Sequence, residues 1–541
     1  MKQFYLAIAA VLVGTTLQAQ AFFNVTTYKG AFPVTDNAPA TDWTAGWSNF
    51  DPENTVYPAT LTTVSTDITS DVTWTGVVLL QNKVYVKNNA TLTIAPGTII
   101  RGDGATQGSL IITKGAKIMA EGTAVSPIVF TSNESVGNRA EGDWGGLVLL
   151  GKGINNQPGG IANIEGIAPT ADTEFGGSDD NDNSGSLKYV RIEFAGIALQ
   201  PNKEINGLTF GSVGKQTSVD YVQVSFSGDD SFEWFGGTVD CKHLIAYRGL
   251  DDDFDTDFGF RGRIQFGLVV RDPNLSDAIG DSNSFESDND ANGSGAMPQT
   301  AAIFSNITTV GPLGDGSAVL PGDEKFEKAF RIRRNSGISV FNSLVTGWQK
   351  GLSVEGASTE DNFTTNDSAV FANNTLAELP SNAVTAASSF YSTFWTANSC
   401  DSTTSVAQVA WVDIFNALGT APDARLSGAS SAATGADFTD AKFNGQLIGL
   451  EENATISGSV SLYPNPITDQ ATFVVNLDRN APVTIELIDM TGKIVMTVFD
   501  GTMEAGSTAV NCSSSTLNAG LYTAVVRANG FMKTIKCVVT K

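Results

Sequence analysis

The sequence predicts an all-β chain, a parallel β-solenoid followed by a small antiparallel β-sandwich, and three observations carry that prediction. The first is an internal copy. The stretch Gly228-Asp229-Asp230-Ser231-Phe232-Glu233-Trp234-Phe235-Gly236-Gly237 superposes on residues 250–259 at an offset of 22. Asp229 falls on Asp251, Asp230 on Asp252, Phe232 on Phe254, Glu233 on Asp255 and Gly237 on Gly259. A period in the twenties means one supersecondary unit copied along an axis, each copy burying its apolar face on the next. The second is that the segments between the acidic blocks, Val239-Asp240-Cys241 and Leu244-Ile245-Ala246-Tyr247, read as short strands. The third is composition: 55 Gly against 18 Pro, with abundant Asn, Ser, Thr and Asp, suits turns and strands rather than helices.

Charge narrows the partners. Only 16% of the 541 residues are charged, yet the formal net charge is −25. So acidic a chain excludes nucleic acid and anionic membrane surfaces and favours cations, or neutral and basic ligands. His243 is the single histidine, which excludes multi-His zinc sites and leaves one candidate for any Ser-His-Asp triad.

Taken in order, residues 1–19 read as a secretory signal peptide: Met1-Lys2, an apolar run Leu6 to Val13, then Leu17-Gln18-Ala19. That run is too short to span a membrane, and no later stretch reaches spanning length. Residues 20–73, rich in Thr, Pro, Asp and Trp, are expected to be an irregular cap over the solenoid end, with Trp43 and Trp47 as packing residues rather than a sugar platform. The solenoid occupies 74–450. Its early rounds, Val84-Tyr85-Val86 to Ile94 and Leu110 to Ile118, step by about 25 residues, and about a dozen coils over 74–356 would give a rod of ~55 Å. Within 357–450, Ser388 to Asn398 and Val406 to Leu418 suit short helices, the latter aligning Trp411, Phe415 and Leu418. Residues 451–460 form a linker. Residues 461–541 carry six acidic and six basic residues, so the whole negative balance lies upstream. Their alternating strands are spaced as in a small sandwich. Cys512 and Cys537 lie here, where an oxidising compartment would let them pair, whereas Cys241 and Cys400 read as small buried apolar residues.

Two resemblances follow from particular phrases. Leu462-Tyr463-Pro464-Asn465-Pro466, Val483 to Lys493, Leu517 to Arg527 and the closing basic strand to Lys541 resemble the type A C-terminal sorting domain of type IX secretion cargo in Bacteroidota. This implies export through the periplasm, engagement of residues 461–541 by the type IX machinery and its sorting peptidase, and a passenger that is released or fixed to surface lipopolysaccharide. The phrases Ala90 to Thr98, Gly115 to Gly122, Pro127 to Ser132 and Asp143-Trp144-Gly145-Gly146 resemble the right-handed parallel β-helix proteins of Bacteroidota surfaces. That likeness implies fold and is nearly silent on chemistry.

Candidate chemistry sits on the acids. Stacked one coil apart, equivalent carboxylates lie ~5 Å from one another and repel by roughly 0.8 kcal/mol in water, or about 3 kcal/mol at an effective dielectric near 20. A sheltered row therefore wants a cation, and Ca²⁺ accepts six to eight hard oxygens in flexible geometry. Asp230, Glu233, Asp251, Asp252, Asp253 and Asp255 are the candidate ligand-binding residues. Two loops, Asp180-Asn181-Asp182-Asn183-Ser184-Gly185 and Asp288-Asn289-Asp290-Ala291-Asn292-Gly293, fit the opening half of a calcium loop. Asp180, Asp182, Ser184, Asp288, Asp290 and Asn292 are thus candidate metal ligands, although Arg191 and Gln299 stand where a bidentate Glu belongs. Arg331-Ile332-Arg333-Arg334 reads as an ion-pair partner for the acids rather than a phosphate site. Phe232 and Trp234 share one side of a strand, packing inward or offering a sugar-stacking face.

These residues favour a secreted or surface-displayed β-helix that binds calcium and acts as a binding, adhesive or structural protein, with a glycan or lipopolysaccharide as partner. The alternative is a carbohydrate-active enzyme, a glycoside hydrolase or a lyase of acidic polysaccharides, drawing on Asp251, Asp252, Asp253, Asp255, Arg248, Arg261 and Arg263. Carboxylates at a period of 22 explain a repeat better than an active site, which needs unlike groups converging once.

Overall fold

Short strands that each bury one face on the next stack here into a parallel β-helix. The computed structural model describes residues 22–34, 42–59, 62–200, 203–277, 281–313, 325–326, 328–366, 368–379, 384–385, 397–414, 421–444, 458–477, 480–488, 494–528 and 531–540. One wall is a ten-stranded parallel sheet running from Lys83–Val86 through Ser109–Ile112, Leu147–Leu150, Leu208–Val213, Phe232–Gly237, Phe254–Asp257, Phe285–Ser287, Lys328–Ile332 and Lys350–Val354 to Val384–Thr385. Its inward column is Leu110, Leu147, Leu208, Phe232, Phe254, Phe285, Phe330 and Leu352, in register and with no exposure. Ring centroids are 5.7 Å apart from Phe232 to Phe254, 5.1 Å to Phe285 and 4.6 Å to Phe330. Like side chains therefore do pile up rung on rung, as the offset of 22 requires.

The other two walls come from one bent sheet. Gly185–Glu193, Ser218–Ser225, Asp240–Tyr247, Arg263–Val270 and Ile303–Val310 each turn a corner at a left-handed residue: Tyr189, Tyr221, His243, Phe266 and Asn306, with φ between 49° and 63°. Such φ values strain a residue with a Cβ, and stacking at the corner offsets the strain. Tyr189 lies on Tyr221 at 4.6 Å, Tyr221 on His243 at 4.2 Å and His243 on Phe266 at 5.1 Å.

Three expectations need correction. The ten-stranded wall shows fewer coils than a constant step gives, because loops between strands stretch the inward column to steps of 37 residues (Leu110 to Leu147) and 61 (Leu147 to Leu208). Ten strands make a wall of ~43 Å at ~4.8 Å each, not 55 Å. Second, residues 22–34 and 42–59 do not cap an end. They lie lengthwise along the bent sheet: Tyr57 bonds Glu193, Asn49 bonds Gln223, Asn24 bonds Gln265 and Ala31 bonds Thr308. The outer side of that sheet carries aromatic rings, and this strap removes them from water. Trp47, 1% exposed, sits over Tyr189 and Tyr221, and Trp43 over His243. Parallel pairing begins inside the expected cap of 20–73, at Thr62–Val64 on Val78–Leu80. Third, a short helix does lie within Val406 to Leu418, at Val406–Val409, but Trp411 falls outside it, in a strand, Trp411–Asp413, paired with Asp423–Leu426. Phe415, Leu418 and residues 388–396 lie outside the described residues.

The strands of the terminal domain pair antiparallel, apart from one isolated parallel bridge between Ile467 and Val539. Gly458–Tyr463, Gln470–Leu477 and Gly506–Ser513 form one sheet, and Ile494–Met503, Ala481–Ile488, Gly520–Ala528 and Phe531–Val539 the other. Phe473, Ile485, Leu487 and Val526 centre their shared core. Cys512 and Cys537 are buried there as free thiols, as is Cys241 in the β-helix.

Candidate functional site

The acidic site starts with a turn used twice. Asp230 accepts the backbone N–H of Asp252 at 2.9 Å, and Asp252 accepts that of Asn283 at 2.5 Å. Each rung's acid thus fixes where the next rung enters the sheet. Two residues later Phe232 and Phe254 turn inward, so alternation throws Glu233 and Asp255 onto the outer face. Gly236 and Gly237, at φ 71° and 80°, then turn the chain at the strand's end. Register carries the outer column from Thr209 to Glu233, Asp255, Glu286 and Arg331.

Along this column charge is compensated unevenly. Arg331 pairs with Glu286 at 3.1 Å and Glu355 at 3.3 Å; Arg333 pairs with Asp288 at 2.8 Å and also with Glu286; Arg334 pairs with Asp288 at 2.5 Å. The basic patch is therefore an ion-pair partner for these acids. One and two rungs back, Asp230, Glu233 and Asp255 make no salt bridge among the described residues. Instead two carboxylate triads form, Asp229 with Asp230 and Asp251, and Asp230 with Glu233 and Asp255, each with oxygens within 4.8 Å of one another. Asp230 is 7% exposed and Glu233 5%. Burial, then the neighbouring acids, push the carboxyls of Asp230, Glu233, Asp252 and Asp255 well above their ordinary range.

The structure thus brings together Asp230, Glu233, Asp251 and Asp255. Asp252 is occupied in capping the next turn. Asp253 points elsewhere: fully buried, it meets the equally buried Arg271 Nε at 3.1 Å, and burial lifts its carboxyl to about 7. Arg271 also donates to the carbonyls of Gly249, at 2.7 Å, Asp251 and Asn283, tying three turns together. Sequence reasoning missed Asp229, Asn206 and Thr209 as neighbours of the site. The signal for Asn206 was weak, since Asn206-Gly207-Leu208 aligns with Asp230-Ser231-Phe232 only once the register is known.

In both calcium-like loops the acids have protein partners. Asp180 takes Arg261 at 3.0 Å and the N–H of Ile154 at 2.9 Å; Asp182 takes the N–H of Lys152 at 3.2 Å and the Ser184 hydroxyl at 3.5 Å. Asp288 belongs to the arginines. Asp290 closes its own turn on the Ser294 hydroxyl and the N–H groups of Asn292 and Ser294, which hold its carboxyl below the usual value, and Asn292 is exposed. These are turns that the protein satisfies internally, the ordinary use of Asp and Asn in loops. His243 stacks in the corner column and contacts Asp220 at 2.7 Å, and Phe232 and Trp234 are wholly buried core residues, not a sugar-stacking face.

Fold and site together define a β-helix protein with a sheltered acidic row and a separate antiparallel tail. Residues 66–415 match the family model of the pectate-lyase-like β-helix domain, 350 of 541 residues, and the chain belongs to that family. Residues 461–540 match the secretion system C-terminal sorting domain, which indicates export by type IX secretion to the cell surface or extracellular space. Among solved structures, full-length tailspike protein 2 of Escherichia coli O157:H7 bacteriophage CAB120 is similar at 9% identity and a TM-score of 0.22. That match covers 86% of this chain and 64% of the tailspike. A search of curated proteins returns no match. No helix among the described residues is long and apolar enough to cross a membrane.

Proposed function

We propose that this exported β-helix binds Ca²⁺ in the row formed by Asp229, Asp230, Glu233, Asp251 and Asp255, and acts as a cation-stiffened binding, adhesive or structural protein. The observation that carries the reading is the shared position of the two triads on adjacent rungs, with Asp230, Glu233 and Asp255 making no salt bridge among the described residues. Every donor is a hard oxygen, which suits calcium over zinc or copper. The burial of Asp230 and Glu233 argues against contact with a polymer, because a sugar chain needs an open groove while a bare cation needs only a gap. The partner that fits an exported acidic rod is a glycan, reached through surfaces whose shape the bound cation fixes.

The test is thermal unfolding of the full chain in chelator and in millimolar Ca²⁺, with glycan-array binding in both. A calcium-dependent rise of several degrees in Tm, and release of no unsaturated sugar from acidic polysaccharides, is the expected result. Unchanged Tm would sink the cation reading. Release of unsaturated product that disappears in the Asp255→Asn chain would replace it with a lyase.

A further inference from the structure

We infer that Asn206 and Thr209, on the rung before the acids, complete the cation's shell, so that one ion seated against Asp230, Glu233 and Asp255 is clamped by oxygens from three successive rungs. The inference rests on the calcium reading above and narrows its site to the deeper triad. Asp229 and Asp251 are partly exposed and have interactions of their own, and the shell does without them.

Asn206 breaks a pattern. It stands two residues before the inward Leu208, as Asp230 and Asp252 stand before Phe232 and Phe254. Each of those acids gives an oxygen to an N–H of the next rung. Asn206 instead lays its amide nitrogen against the Glu233 carboxylate, and its Oδ1, in a side chain 1% exposed, has no hydrogen-bond partner. Thr209 is wholly buried and opposite Glu233 in register, and its Oγ1 has no partner either. Asp255 Oδ1, on the rung after Glu233, is a third such oxygen. Buried polar atoms are nearly always satisfied in folded proteins.

The same column shows what satisfies such oxygens. One rung beyond Asp255, Glu286 meets the guanidinium groups of Arg331, at 3.1 Å, and Arg333. A water donates two hydrogens, too few for three open oxygens beside two further carboxylates, whereas a cation takes lone pairs from all of them. The triad's oxygens lie within 4.8 Å of one another, the width of a shell at about 2.4 Å, which is calcium's distance. Asp230, Glu233, Asp255, Asn206 and Thr209 bring five oxygen-bearing side chains, and one bidentate carboxylate makes the six that calcium needs. Two neutral protein oxygens standing in for water favour calcium over magnesium, which gives up its waters reluctantly. Asn206 serves both states of the site: its nitrogen donates to Glu233 in the empty chain, and a half-turn of the amide presents Oδ1 to the ion.

Calorimetric titration of the full chain with Ca²⁺ alone reads the affinity, and thermal unfolding in chelator reads the structure. Thr209→Val keeps the shape and loses the oxygen. It should weaken Ca²⁺ about tenfold yet raise Tm in chelator, because a buried hydroxyl without a partner is removed. A hydroxyl that merely holds the fold would do the reverse, lowering Tm and sparing the affinity. Asn206→Leu should also weaken Ca²⁺ about tenfold. Asn206→Asp keeps the oxygen and loses the N–H, so Ca²⁺ binding should hold or tighten while Tm in chelator falls. Should Asn206→Leu fail to fold, Thr209→Val decides. Unchanged affinity in Thr209→Val or in a folded Asn206→Leu chain, or weakening in Asn206→Asp, overturns the shell of three rungs and leaves the calcium reading standing. If the parent chain binds no Ca²⁺, both fall.

Discussion

Raising pH in chelator should destabilise this protein across a range where most proteins are indifferent. Burial and neighbouring acids hold the Asp257 carboxyl at about 7, against an ordinary 3.8. Asp230, Glu233, Asp252 and Asp255 move in the same direction for the same reasons. Between about pH 4 and 7 the folded chain therefore binds more protons than the unfolded one. Stability is fully present below the unfolded value and falls as pH rises through the folded one. Asp257 alone is worth on the order of 4 kcal/mol across that interval. Carboxylates in ordinary ion pairs titrate lower, so the interval from pH 5 to 7.5 reports the row together with Asp253 and Asp257, both raised to about 7, and a His243→Gln chain controls for the one histidine. The assay is urea unfolding in chelator at half-unit steps of pH, repeated with Ca²⁺. The midpoint should fall with pH in chelator, and calcium should restore it at pH 7.5 but not at pH 5, where protons compete for the same oxygens. A midpoint in chelator that is flat or rises with pH would show that these carboxyls do not share protons, and the cation argument would lose its foundation.

Other predictions concern single contacts. Asp230→Asn removes a charge that repels its neighbours by about 3 kcal/mol per pair at 4.8 Å and an effective dielectric near 20, so Tm in chelator should rise while the calcium response disappears; a fall in chelator with calcium response intact would contradict this. Arg271→Met strands Asp253, whose pair has no exposure, and should cost about 3–5 kcal/mol in denaturant unfolding, whereas Arg271→Met with Asp253→Asn should cost less. Tyr57→Phe deprives the buried Glu193 of a bond at 2.9 Å and should cost about 1–3 kcal/mol, with faster proteolysis confined to the strap. Phe254→Ala leaves a hole in the middle of the aromatic column and should cost about 3–5 kcal/mol; less than 1 kcal/mol would mean the column is not the core.

The sequence by itself determined what repeats. A copy at 22 residues with Phe on Phe and acid on acid can satisfy both its apolar and its polar faces only by stacking in register, and Phe232 lies on Phe254 at 5.7 Å as that requires. The tail was equally legible, because its phrases are local and ordered. Tertiary structure alone decided how oxygens were shared. Asp180 and Asp288 have the spacing of calcium ligands, but Arg261, Arg333 and Arg334 come from 45 to 81 residues away, and no local pattern announces them. Asn206 and Thr209 become neighbours of Glu233 only because one rung places them opposite it. The strap went unrecognised for the same reason: its aromatic residues match rings that reach the surface only once the corner residues adopt positive φ. Periodicity dictates which side chains stack, while the burial and pairing of each charge depend on distances that only the folded chain sets.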